Sequence, residues 1–126
     1  MRVDLIQIGD YFAYPTQTIH DGNLKIGRVN FIRHDGIVQV DFVDTNAQLL
    51  EPIEITPSIL ENNGFTRYGQ IYANLQQWVG KFGDKRKSLV QDIRTNECGM
   101  NDVWIKYVHE LQHALKLCKI DKEIVL

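Results

Sequence analysis

The chain has 126 residues, 44% of them hydrophobic, with 14 basic against 16 acidic side chains and a net charge of −2. That length makes one domain or two small lobes with a real interior, and the acidic balance argues against a dedicated duplex-DNA binder, which needs a basic excess to displace counterions from phosphate. No apolar run approaches the roughly 20 residues that cross a bilayer, and the amino terminus lacks the basic start and long apolar stretch of a signal peptide, so a cytoplasmic protein is expected.

Asp10 to Tyr14 reads as a short strand ended by Pro15. Gly27 to Arg33 and Ile37 to Phe42 alternate apolar and polar residues around His34-Asp35-Gly36, where glycine supplies the positive φ of a tight hairpin. A further strand at Glu51 to Ile55 would complete a small bent sheet of the SH3-like kind, with Pro52 confining it to an edge or a strand start. Thr56 before Pro57 is an N-cap followed by proline at the first helical position, so a short helix is expected from Pro57 to Asn62, closing at Gly64. Strands are expected at Arg67 to Leu75, Gln76 to Phe82, Ser88 to Arg94 and Val103 to Lys106, although Tyr72 to Val79 also permits a helical turn.

The last helix is expected over 107–118, with Val108, Leu111, Ala114, Leu115 and Cys118 on its core arc, and Lys122 to Leu126 reads as a terminal strand. The expected class is therefore α+β: an SH3-like lobe over 1–55, then an antiparallel sheet covered by one helix over 56–126, or one continuous domain. Cys98 and Cys118 are too few for a disulfide framework and have no CxxC spacing, so reduced thiols are expected, with Cys118 in the core.

His109-Glu110-Leu111-Gln112-His113 spells HExxH, in which two histidines four apart on a helix can grip zinc while the glutamate acts as general base. A zinc hydrolase is the alternative this motif carries, with His109 and His113 as ligands and Glu110 as base. The helical arc instead places both histidines on a solvated side with Gln112, Lys116 and Lys119, where a cation at 116 repels a dication. A third ligand would have to come from Glu123, His20 or His34. No metal or other cofactor is the favoured expectation.

From Lys81 to Lys87 the chain reads Lys-Phe-Gly-Asp-Lys-Arg-Lys at a turn centred on Gly83-Asp84. A solvated turn explains the charges; an anion site explains them together with the neighbouring aromatics. In the second reading Lys81, Lys85, Arg86 and Lys87 hold phosphate while Trp78, Phe82 and Tyr72 offer stacking faces. Tyr11, Phe12, Tyr14 and Phe31 are either core or the lining of a groove in the first lobe. Asp41 and Asp44, and Glu51 and Glu54, are read as solubilising charges. The phosphate-cradling, dinucleotide and nucleophile-elbow motifs are absent.

Leu50-Glu51-Pro52-Ile53, Asn63-Gly64-Phe65, Tyr107-Val108-His109-Glu110-Leu111-Gln112 and Lys122-Glu123-Ile124 resemble stretches of small uncharacterised accessory proteins from phages, prophages and mobile elements of Bacteroidetes. The resemblance implies a β-rich fold with one C-terminal helix, and similar proteins often read His-Gln-Leu-Gln-Asn in place of HELQH. It implies no activity and no site residue. Together these observations make a non-catalytic binding protein the expectation, taking an anionic small molecule such as a nucleotide defence signal and compatible with homo-oligomer formation. A zinc hydrolase and a protein or nucleic-acid interaction module are the alternatives.

Overall fold

The computed structural model describes residues 5–15, 24–33 and 35–126. The chain is α+β and divides into two compact units, Met1–Ile53 and Glu54–Leu126. Among the described residues, no helix is long and apolar enough to cross a membrane.

The first unit is a curled antiparallel sheet in the order β1-β2-β3-β4, formed by Tyr11–Pro15, Leu24–Ile32, Ile37–Val40 and Val43–Asn46. Alternation along the strands turns Phe12, Tyr14, Val29, Val38 and Val40 inward, where they form one cluster with Ile6, Ala47 and Leu50. A register shift between Val29 and Phe31 bends β2. The strand expected to reach Phe42 stops at Val40, because Asp41 and Phe42 take positive φ (51° and 67°) in a two-residue turn into β4. Such a turn needs left-handed backbone at both central positions, which sequence alternation does not report.

The strand expected at Glu51 to Ile55 is not formed. Two isolated bridges stand in its place, Ala13–Glu51 in the first unit and Glu54–Tyr107 in the second. Pro52 lies between them and has no N–H to continue a ladder. The hairpin residue His34 lies outside the described residues.

In the second unit α1, Pro57–Asn62, starts at Thr56, whose Oγ1 accepts from the Ile59 amide at 3.3 Å. Five antiparallel strands follow in sequence order: β5 Phe65–Tyr72, β6 Leu75–Phe82, β7 Lys85–Asp92, β8 Cys98–Met100 and β9 Val103–Ile105. The three-residue β8 was not expected, being too short for an alternating pattern. Cross-strand register puts Trp78 opposite Leu89, and Gln91 opposite both Gln76 and Cys98, with Cys98 opposite Ile105. That face is buried, and α2, Val108–Leu117, adds Val108, Leu111 and Leu115 to the interior.

The tail expected as a strand is irregular. Its place is fixed by Asn63, fully buried, whose Nδ2 donates to the carbonyls of Ile59 and Val125 at 2.8 Å each and whose Oδ1 accepts from the Val125 amide at 2.6 Å. One side chain thus does what a strand ladder would do, and Ile124 is buried beside it.

Leu111→Ala and Leu115→Ala are each expected to lower unfolding free energy by about 2 to 5 kcal/mol in urea titrations, since both side chains are fully enclosed. Asn63→Ala should cost about 2 kcal/mol or more, because it leaves the Val125 amide and two carbonyls without that partner. A cost near zero for Asn63→Ala would show that the tail is held by Ile124 alone.

Candidate anion-binding groove

β6 and β7 are joined by Gly83-Asp84, with Gly83 at φ 64°. Positive φ at the first position of a two-residue hairpin turn is most easily met by glycine, although Asp41 meets it in the β3–β4 turn. The turn lifts Lys81 and Lys85 beside the segment leaving α2. That segment begins with a Schellman closure: the Ile120 amide donates to the Leu115 carbonyl and the Lys119 amide to the Lys116 carbonyl, both at 2.9 Å. Lys119 is the left-handed residue of the closure, at φ 59°.

The result is a groove of about 530 Å³ lined by Lys81, Phe82, Gly83, Asp84 and Lys85 on one side and by Lys119, Ile120, Asp121 and Lys122 on the other, with Asn63 and Gly64 also lining it. Four lysines meet two aspartates there, an excess opposite in sign to the charge of the whole chain. Lys85 Nζ donates to the Lys119 carbonyl, which ties the β6–β7 turn to the closure that follows α2. A smaller notch of about 210 Å³ adjoins it, lined by Lys85, Arg86, Lys87, Cys118 and Ile120.

Of the residues expected to form an anion site, Lys81, Phe82 and Lys85 line the groove, while Arg86 and Lys87 line the notch. Trp78 does not contribute. It is 0% exposed on the inner face opposite Leu89, so neither of its ring faces can stack on a ligand. Tyr72 is exposed at the far end of β5, opposite Leu75 rather than beside the turn. Phe82 is half-buried and meets Phe65 edge to face, with centroids 5.4 Å apart. Gly80 permits this pairing, since a Cβ there would stand 2.6 Å from Phe82 and 2.8 Å from Phe65. Sequence reading missed Lys119, which it placed on a solvated helix side, and Lys122, which it placed in a terminal strand; only tertiary convergence joins them to a turn more than thirty residues earlier.

The HELQH segment is arranged differently from the expectation. His109 is 7% exposed and Gln112 8%, so the buried stripe of α2 is rotated toward them, and Leu117, at 85% exposure, marks the solvent side. Tyr107, the N-cap of α2, also forms the isolated bridge to Glu54. His109 stacks on Tyr107, and His113 meets it edge to face at 5.8 Å. Glu110 Oε1 accepts from the amides of Lys106 and Tyr107 at 2.9 and 3.0 Å, which makes this carboxylate a helix-capping group. Among the described residues, no set of three or more His, Cys, Asp and Glu is placed to hold a metal ion; His20 and His34 lie outside those residues.

Cys118, expected in the core, is half-exposed, and Asn101 Nδ2 donates to its sulfur at 3.0 Å. It shares an apolar groove of about 320 Å³ with Met100, Val103, His113 and Leu117. Cys98 is fully buried, and desolvation pushes its thiol from 9.0 up to about 12.

The aromatics of the first unit are mostly structural. Phe12 and Tyr14 are buried, Tyr11 is half-buried with Arg28 5.0 Å over its ring, and Phe31 alone of the four is exposed, beside a shallow hollow with Arg33 and Asp35. Burial first, then the charge of Asp41, raises the Tyr14 phenol above its ordinary value. Three of the four carboxylates read as solubilising are engaged. Asp41 accepts from the Arg28 amide at 3.1 Å, Asp44 pairs with Arg33 at 3.5 Å, and Glu54 pairs with Lys106 at 3.1 Å.

Comparison of the chain with known protein families, curated proteins and solved structures gives no significant match.

The two thiols should separate chemically. At pH 8 one equivalent of a disulfide reagent is expected to react with the native protein, at Cys118, and the second only after denaturation; two rapid equivalents would contradict the burial of Cys98. A folded-state pKa raised above the unfolded value gives stability that is complete below about pH 9 and falls as pH climbs toward about 12, so urea midpoints should decline over that alkaline window.

Proposed function

We propose that this protein captures a phosphorylated small molecule, a nucleotide signal of host defence being the leading class, in the groove between the β6–β7 turn and the segment after α2. The supporting observation is the convergence of Lys81 and Lys85 with Lys119 and Lys122 in one concavity of a chain whose net charge is −2. Its volume falls within the range of small-molecule sites. Cations supply the phosphate attraction, Gly83 leaves the turn backbone open to close approach, and the half-buried Phe82 ring gives an apolar wall for a base.

The role is binding without catalysis, in a cytoplasmic accessory protein of phage or mobile-element origin; the stretches around Leu50, Asn63 and Tyr107 support that origin by their resemblance. We also propose SH3-like closure for the first unit. Its support is the Ala13–Glu51 bridge, which returns the chain after β4 to the free side of β1.

Calorimetry against linear and cyclic nucleotides tests the proposal. Replacing Lys85, Arg86 and Lys87 together with Ser should leave folding within about 1 kcal/mol per residue, weaken binding at least tenfold, and flatten its salt dependence. Equal binding by the triple variant and by Lys122→Ser would remove the groove from consideration.

A further inference from the structure

We infer that the outer face of the five-stranded sheet is a docking surface for single-stranded nucleic acid, separate from the anion groove. The inner face is closed, since Trp78, Leu89, Cys98 and Ile105 are buried on it. Neighbouring strand positions point the other way. By register, Trp104 opposite Gly99 and Tyr72 opposite Leu75 belong to that outer side, together with the cross-strand pair Lys81 and Arg86. Tyr68 joins them at the bulge in β5, where its hydroxyl accepts from the Arg86 guanidinium at 3.3 Å. Lys81 also lines the groove; the three aromatics do not.

Trp104, Tyr68 and Tyr72 are 57%, 55% and 69% exposed. One exposed apolar residue needs no explanation, but three aromatic rings on one side of one sheet make a patch of the kind that partners cover. Two of the rings are already held in place. A Cβ at Gly99 would stand 3.4 to 3.5 Å from three atoms of the six-membered ring of Trp104, so the indole rests across β8. Arg86 holds the Tyr68 phenol. Rings ordered in advance lose little freedom when a base stacks on them.

Charge decides the occupant. Asp92, the carboxylate on that side opposite Leu75, is occupied by Arg94 at 3.2 Å, which leaves Lys81 and Arg86 to set the sign of the surface. Aromatic planes beside cations suit bases joined by phosphates. A second copy docked face to face through this sheet would bring the same cations against them, with no free carboxylate to meet them. A duplex keeps its bases stacked on one another and offers none to these rings, so the ligand is a single strand.

Of the two tryptophans, Trp78 is enclosed, so fluorescence quenching reports Trp104. The intact chain should be titrated with labelled oligouridylate and oligothymidylate of about eight nucleotides, with a duplex of the same length and with uridine monophosphate, reading quenching and the anisotropy of the label. Single strands are expected to quench Trp104 and to bind about tenfold more tightly than the duplex or the mononucleotide. Trp104→Leu and Tyr72→Ala should each weaken the single strand about tenfold, and Arg86→Ser should lower the salt slope by about one. Lys122→Ser, in the groove, should change nothing. Urea midpoints confirm that each variant folds; all four side chains lie outside the core. Absence of single-strand binding, or wild-type affinity in both Trp104→Leu and Tyr72→Ala, would overturn the inference. So would an equal loss in Lys122→Ser, which would put the strand in the groove, or a dimer in sedimentation that shields Trp104 from acrylamide, which would assign the face to a second copy.

Discussion

The side-chain amide of Asn63 is the constraint on which the second unit's tail and the groove beside it depend. It closes α1 through the Ile59 carbonyl and holds the tail through both backbone groups of Val125. An Asn can satisfy a donor and an acceptor at once, which lets it replace a pair of ladder bonds with one residue. Because the tail is fixed there and α2 is closed at Ile120, the chain between, Asp121 to Glu123, has little freedom. Lys122 is carried to the groove that Asn63 itself lines. The site is thus assembled by backbone pinning, with its cations on fixed elements rather than on a loose loop.

The groove also shows a local cost. Lys119 occupies the left-handed position that usually takes glycine, and any residue with a Cβ is disfavoured there by about 1 kcal/mol. The same conformation turns the Lys119 carbonyl to the Lys85 ammonium and keeps a cation at the rim. Glycine would be the more stable choice and would lose that charge.

Legibility in the sequence followed the range of the interactions. α1 was readable to the residue, since Thr56 and Pro57 act within one turn. The β6–β7 hairpin was readable because Gly83 encodes its turn locally. The HELQH segment was legible only in part: both histidines were expected on a solvated side of α2, yet His109 is buried, and sequence periodicity could not show that Glu110 accepts from two backbone amides. Trp78 was misassigned for a related reason: its position next to the basic turn in sequence says nothing about its face of the strand, and register opposite Leu89 puts it inward. The groove's second wall was invisible, since Lys119 and Lys122 join Lys81 and Lys85 only through the Schellman closure and Asn63.

The most direct test of the account is a map of backbone amide shifts during titration with a nucleoside diphosphate. The account predicts perturbations concentrated at Gly64, Gly83 to Lys87 and Lys119 to Lys122, saturating together, with Phe31 and its neighbours unmoved. Perturbations that instead cluster at Tyr11, Tyr14 and Phe31, or that scatter without saturating, would contradict it.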